Sequence, residues 1–159
     1  MSEAKRMAAL YRSVYDGDDK GEAWHGPALK PLLKDVTAEQ ASRSPKRGGH
    51  SILQLVLHLA YWEEIILRRF EGEIVDAPLN SPDDWPSNRK LTDSDWKAAL
   101  SRIEKSHTAL HRSIENCSDE KLRRTVPDRD YDNYMLLHGI IHHCVYHSAQ
   151  IALTKKSLS

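Results

Sequence analysis

The sequence lacks a net charge, because its 23 Lys and Arg residues are balanced by 23 Asp and Glu residues. Domains that bind nucleic acid usually carry a basic excess, so this balance argues against such a partner. A long hydrophobic run is also missing. The longest, from Leu55 to Trp62, is interrupted by His58 and is far too short to span a bilayer. We therefore expect neither a nucleic-acid partner nor a membrane-bound protein.

Cysteine is scarce as well. Cys117 and Cys144 do not form a CxxC pair, so the chain has no disulfide framework and a reducing cytoplasm is the expected location. No apolar signal core follows the first residues. The length of 159 residues fits one ordinary domain, and we expect a single domain over residues 1–159. The chain has nine histidines and one phenylalanine, so histidine is unusually frequent.

The spacing of hydrophobic residues predicts four long helices and no convincing strand. These helices are expected at residues 3–16, 51–71, 92–116 and 132–156, and shorter helical pieces within 27–36 and after Thr37. Thr37 and Ser51 each begin a capping-box pattern. Connections of about 15 to 35 residues exceed those of a minimal up-down bundle. We therefore predict an all-α fold, a four-helix bundle with long connections.

The last predicted helix places two histidines on its core-facing stripe. That stripe follows steps of four, three, four and four through Leu136, Ile140, His143, His147 and Ile151. Because His143 and His147 are four residues apart, their rings can share one metal ion. The best third ligand is His58, which lies midway along an otherwise apolar helix. Three nitrogen ligands leave a fourth position open, as in catalytic sites.

Four further residues are candidates for roles around these histidines. Gln54 lies four residues before His58, and Gln150 lies three after His147. Either amide oxygen could accept the N–H that a ligand histidine directs away from its metal. His25 and Trp62 are candidates for the mouth of a pocket. The simpler alternative for each histidine is a hydrogen-bonded residue of the core.

Other histidines and acids have simpler interpretations, and no catalytic residue can be assigned. His107 and His111 form another pair four residues apart, but their polar neighbours indicate a solvated face. Glu63 and Glu64 are either candidate general bases or ordinary solvated residues of the helix. A di-iron carboxylate bundle would need two ExxH motifs, and the single match, Glu22 to His25, lies beside a loop.

Four segments of the chain form a recognisable combination: residues 24–29, 50–62, 84–86 and 143–151. Taken together, these segments resemble the DinB/YfiT-like superfamily of bacterial four-helix-bundle proteins. The resemblance implies a divalent metal, zinc or nickel in many members, bound by His58, His143 and His147. It also implies a homodimer. Characterised relatives include transferases and isomerases that use low-molecular-weight thiols such as bacillithiol or mycothiol.

The leading hypothesis is an enzyme that uses a divalent metal to activate a thiol or water. The activated group would take part in transfer to, or hydrolysis of, a small electrophilic substrate. The alternative is a non-catalytic, metal-binding stress-response bundle, in which the metal contributes stability or sensing. An enzyme predicts an open coordination position and a concave pocket beside it, whereas a structural metal predicts a closed shell.

Overall fold

The computed structural model describes residues 1–45 and 48–158, and four long helices dominate these residues. The long helices are α1 (Glu3–Asp16), α4 (Ile52–Phe70), α5 (Asp93–Glu115) and α7 (Asn133–Leu158). Short helices in the connections are α2 (Leu29–Leu33), α3 (Ala38–Ser42) and α6 (Asp119–Arg123). Two short strands, β1 (Glu22–Ala23) and β2 (Gly26–Pro27), form an antiparallel hairpin. The predicted all-α class is confirmed; the hairpin and α6 were not expected.

Local capping chemistry determines where α4 begins and ends. Ser51 Oγ accepts a hydrogen bond from the backbone N–H of Gln54, and Gln54 Oε1 accepts one from the backbone N–H of Ser51. This reciprocal pair satisfies two N–H groups that have no partner inside the helix. Gly72, with φ of 95°, follows the last turn, where a left-handed residue is needed. These caps fix the position of His58 in the middle of α4.

The four long helices form a bundle whose wiring is not the simple up-down order. Helix α4 packs against α5 and α7, and α1 packs against the same two helices. Consecutive long helices α1 and α4 therefore lie across the bundle from each other, as do α5 and α7. The long connections predicted from the sequence make these crossings. Within the described part of the chain, no helix is long and apolar enough to cross a bilayer.

A buried polar cluster interrupts the apolar core where α1, α4 and α5 meet. Glu63 is 1% exposed and accepts hydrogen bonds from Tyr11 Oη at 2.6 Å and Ser106 Oγ at 2.5 Å. Nδ1 of His107 lies 3.2 Å from the same carboxylate, and the rings of Tyr11 and Tyr15 stack on His107. The prediction that His107 lies on a solvated face is therefore wrong.

Candidate metal centre

Helices α4 and α7 bring together the three histidines that the sequence suggested as metal ligands. His58 comes from the middle of α4, and His143 and His147 come from consecutive turns of α7. One ring nitrogen from each lies within 4.8 Å of the others, and Nε2 of His58 is 3.0 Å from Nε2 of His143. His58 and His147 are buried and His143 is half-buried. The three residues therefore form one compact cluster.

Hydrogen bonds determine which ring nitrogens face the cluster. Nδ1 of His58 lies 2.7 Å from Oδ1 of Asp84 and 3.0 Å from the backbone oxygen of the same residue. Both are acceptors, so Nδ1 donates and Nε2 keeps its lone pair. Nδ1 of His147 likewise lies 2.6 Å from Oε1 of Gln150, the contact expected for that glutamine. In both rings Nε2 is therefore the nitrogen that remains free to bind a metal.

The surroundings of the cluster keep the three rings neutral. Burial, together with His147 and His58, lowers the pKa of His143 to about 3. Burial lowers the pKa of His147 to about 4, although its bond to Gln150 acts in the opposite direction. The pKa of His58 is also lowered by burial, which outweighs the carboxylate of Asp84. A histidine must be neutral to bind a metal, so the three rings are in the required state.

The geometry of the cluster also fits a small divalent ion. Two nitrogens that each lie 2.0–2.1 Å from a tetrahedral zinc are roughly 3.3 Å apart, close to the 3.0 Å between His58 and His143. Nδ1 of His143 is buried with no hydrogen-bond partner, so Nε2 is the nitrogen through which this ring contacts the cluster. The three histidines could therefore hold a metal ion.

A loop residue, Asp84, supports this centre, although no role was predicted for it from the sequence. Asp84 is 1% exposed. Its Oδ1 accepts from Nε1 of Trp62 at 2.8 Å as well as from His58, and its Oδ2 accepts from the backbone N–H of Asn80 at 2.8 Å. Both carboxylate oxygens are therefore occupied by donors. Two signals pointed to it: an acidic residue inside a long proline-rich loop, and the match of residues 84–86 to the superfamily.

The expectation that Gln54 would support His58 is corrected by the structure. Oε1 of Gln54 accepts from the backbone N–H of Ser51, and Nε2 donates to the backbone oxygen of Pro86 at 3.0 Å. The capping box and the loop thus use both ends of this amide. Asp84 occupies the position beside His58 that Gln54 was expected to fill.

An aromatic stack covers the outer side of His58. The ring of Trp85 lies 3.8 Å from that of His58 at an interplanar angle of 11°. The ring of His50 also stacks on Trp85, at 3.6 Å. Because Trp85 comes from the same loop as Asp84, this loop both orients His58 and shields it from water.

A cavity of about 580 Å³ opens beside the histidines, between α4 and α7. His58 and His143 form part of its wall, as does Trp62, which the sequence suggested for the pocket mouth. His25 does not line this cavity; it lies exposed in the turn of the small hairpin. Most of the remaining wall is apolar, and the volume is in the range of small-molecule sites.

The two glutamates considered as general bases do not reach the cavity. Glu63 lies in the core with Tyr11, Ser106 and His107. Glu64 forms a two-point ion pair with Arg102, at 2.8 and 2.7 Å, on the surface of the bundle. Both side chains therefore have structural partners.

The fold and the site define a class: helical bundles in which two facing helices present a buried group of three histidines. Residues 23–150 match the profile of the DinB superfamily, and the chain belongs to that superfamily. No curated protein and no solved structure matches the chain. The resemblance seen in the sequence is thus confirmed at the level of the superfamily.

Proposed function

We propose that this protein is an enzyme in which His58, His143 and His147 hold a divalent metal, zinc or nickel. The metal would activate a thiol or water for attack on a small electrophilic substrate. The cavity beside His58 and His143 carries this proposal, because a metal bound for stability alone needs no adjoining space for a ligand. The superfamily and the compact histidine group support the metal.

Each part of the site has a function in this proposal. A divalent ion bound there supplies Lewis acidity, which deprotonates a coordinated thiol or lowers the pKa of water toward about 7. Asp84 and Gln150 hold the rings of His58 and His147 in the tautomers that binding requires. Trp85 covers His58 and limits access of bulk water from the outer side. The apolar wall binds the body of the substrate.

The acidic and basic side chains that line the cavity favour thiol transfer over hydrolysis. Among the described residues that line it, Asp84 has the single carboxylate, and both of its oxygens already accept hydrogen bonds. Attack by water is usually assisted by a free base. A thiol ionised by a metal that His58, His143 and His147 hold would need no such base. In the transfer, the S–C bond would form as the bond to the leaving group breaks, and the leaving group would depart with the electrons of that bond.

The proposal includes partners and a location. We infer a low-molecular-weight thiol, such as bacillithiol or mycothiol, as co-substrate and the cytoplasm as the compartment. We also infer a homodimer formed through α7. Support comes from Tyr146 and Leu153, which are seven residues apart on α7 and are 62% and 69% exposed. Large exposed apolar side chains on one helix face are typical of a contact surface.

Elemental analysis of tag-free protein, with and without reconstitution, tests the metal. We expect about one divalent ion per chain, and loss of it in His58→Ala, His143→Ala and His147→Ala. The matched control is His142→Ala, because His142 lies on the same helix but is exposed. His107→Ala is unsuitable as a control, because His107 is buried in the core.

Turnover then separates the enzyme from the non-catalytic alternative. Metal-loaded protein is mixed with a thiol and 1-chloro-2,4-dinitrobenzene, and formation of the thioether is followed by absorbance. We expect turnover that requires both the thiol and the three histidines. Metal binding with a large loss of thermal stability on chelation, and no turnover with any thiol or hydrolysable ester, would favour a structural metal. Absence of metal after reconstitution would overturn the proposal.

A further inference from the structure

Arg69 is a buried cation in the wall of the cavity and has no ion-pair partner. Its side chain is 8% exposed, and among the described residues no carboxylate lies within 4.0 Å of its nitrogens. Nη2 donates to the backbone oxygen of Val75 at 3.0 Å, and Nε is buried without a hydrogen-bond partner. A buried charge is costly unless it is paired, so Arg69 lacks an acceptor that a ligand could supply.

Arg69 and the histidines lie toward opposite ends of one cavity. One wall is formed by α4 residues on a single helical face: His58, Trp62, Ile66 and Arg69. Arg69 is eleven residues beyond His58, which corresponds to about three turns and roughly 16 Å along the helix axis. The ring of Trp62 lies between the two ends, 5.9 Å from Cζ of Arg69 and 6.4 Å from the ring of His143.

We propose that the cavity binds an organic substrate with a carboxylate at one end, which pairs with Arg69. The electrophilic centre at its other end would then lie beside His58 and His143, and for this reaction the inference rests on the proposed function. A guanidinium presents parallel N–H groups that match the two oxygens of a carboxylate. The apolar wall between the ends suits a hydrocarbon body.

The charge of the cavity favours a carboxylate over a phosphate. Arg69 is the single cation among the described residues that line the cavity. Burial, and after it the neighbouring Arg129, lower the pKa of Arg69, whereas Tyr131, Tyr61 and Asp76 act in the opposite direction. Arg129 is itself paired with Asp128 at 3.4 Å. One guanidinium neutralises one carboxylate, whereas a phosphate dianion would leave an unmatched charge in an apolar space. Asp84 does not compete for Arg69, because its oxygens are already occupied.

Calorimetric titration of metal-free, chelator-treated protein tests the inference. The probes are 4-phenylbutanoate, its uncharged amide 4-phenylbutanamide, and 3-phenylpropylphosphonate. Metal-free protein is used so that a carboxylate cannot bind by ligating an ion. We expect the carboxylate to bind about tenfold or more tightly than the amide, as a charge-assisted hydrogen bond allows. The phosphonate should bind more weakly than the carboxylate.

Two adjacent arginines provide a matched pair of variants. Arg69→Met should abolish the preference for the carboxylate while leaving amide binding unchanged. Arg68→Met should keep the preference, because Arg68 is 53% exposed and pairs with Glu73 on the surface. Circular dichroism checks that each variant is folded. If Arg69→Met does not fold, the assigned Nε–H NMR signal of wild-type Arg69 decides, since it should shift with the carboxylate and not with the amide.

The possible contrary results fall into two groups, one against the role of Arg69 and one against the choice of a carboxylate. Equal binding of carboxylate and amide, a full preference in Arg69→Met, or an unmoved Nε–H signal overturns the role of Arg69. Tighter binding of the phosphonate overturns the choice of carboxylate. The titration needs no metal. If the protein binds the carboxylate but never binds a metal, the proposed function is contradicted, whereas the role of Arg69 in carboxylate binding is retained. If turnover is as fast with uncharged electrophiles as with electrophiles that carry a carboxylate, the substrate class inferred here is contradicted, whereas the proposed function is retained.

Discussion

Asp84 contacts the same nitrogen of His58 twice, through Oδ1 at 2.7 Å and through its backbone oxygen at 3.0 Å. Its Oδ1 also accepts from Trp62 Nε1, so a single carboxylate connects the loop to two residues of α4. The ring of His58 is therefore oriented by a residue from outside the helices that form the histidine cluster. In metal sites, such a carboxylate behind a ligand histidine raises the basicity of the ligand and fixes its tautomer.

We predict that Asp84→Ala weakens metal binding by about 10- to 100-fold, the usual effect of removing such a partner. The backbone oxygen still contacts His58, so we expect a value toward the lower end of that range. Competition with a chromogenic zinc chelator gives the affinity. Asp83→Ala is the matched control, because Asp83 is adjacent and exposed. Equal affinities of the two folded variants would show that the carboxylate does not support the site.

Glu63 and Glu64 are adjacent in sequence, and substituting each one tests whether its role is structural or catalytic. Glu63→Gln should lower the free energy of unfolding by about 1–3 kcal/mol, because a buried acceptor of Tyr11 and Ser106 becomes mismatched. Glu64→Gln breaks a surface pair with Arg102 and should cost less than about 1 kcal/mol. Urea unfolding followed by circular dichroism measures both. Metal content should not change in either variant.

The opposite outcome for Glu63 would be equally informative. If Glu63→Gln were as stable as the wild type but lost turnover, this glutamate would act in catalysis rather than in the core. That result would contradict its observed isolation from the cavity. It would also require a proton path between the core cluster and the histidines.

The parts of this structure that depend on local chemistry could be predicted from the sequence. The start of α4 follows from the capping box of Ser51 and Gln54, which involves residues three apart. The proximity of His143 and His147 follows from helical spacing alone. His107 could also have been placed correctly, because it continues the buried stripe of Ile103 and Leu110. The polar residues next to it in sequence lie on other faces of the helix and do not determine its burial.

The contacts that depend on tertiary structure could not be predicted in the same way. Asp84 reaches His58 across 26 positions of sequence, through a loop with no periodicity that could place it. Gln54 had two available uses, as the cap of α4 and as a partner of His58, and its sequence position does not choose between them. The sequence position of Arg69, near the end of a helix, is typical of a surface arginine, and its burial depends on the tertiary structure.

Cys144 lies between two of the histidines in sequence, but we predict that it is unreactive in the folded protein. It is 1% exposed, and burial followed by the charge of Glu63 raises its pKa to about 12. Thiol reagents react with the thiolate, which is therefore rare at pH 8. Cys117 is half-buried, so it should react first. Titration with a chromogenic disulfide should show one faster thiol and one that reacts upon unfolding.

Single-cysteine variants assign the two phases of that titration. Cys117→Ser should leave the slow thiol, and Cys144→Ser should leave the fast one. A fast reaction of Cys144 in native protein would place its sulfur in the cavity. It would then become a candidate nucleophile, against its observed position 4.0 Å from Ser148 Oγ in the core.

The stack of Trp85 on His58 gives the site an optical signal. Paramagnetic nickel quenches the fluorescence of an indole at short range, and the Trp85 ring is 3.8 Å from the His58 ring and 5.9 Å from the His147 ring. We predict that titration with nickel quenches the protein's fluorescence and saturates at one ion per chain. Trp85→Phe should remove much of that quenching while retaining the ion.

The control for this experiment is Trp24→Phe, since Trp24 is fully exposed in the hairpin turn and does not line the cavity. This substitution should lower the total fluorescence of the protein. The fraction of that fluorescence that nickel quenches should stay nearly the same or increase. Trp62, at 6.4 Å from the rings of His58 and His143, accounts for quenching that remains in Trp85→Phe. If quenching instead disappeared in Trp24→Phe, nickel would be binding near the hairpin, and the histidine cluster would lose its assignment as the metal site.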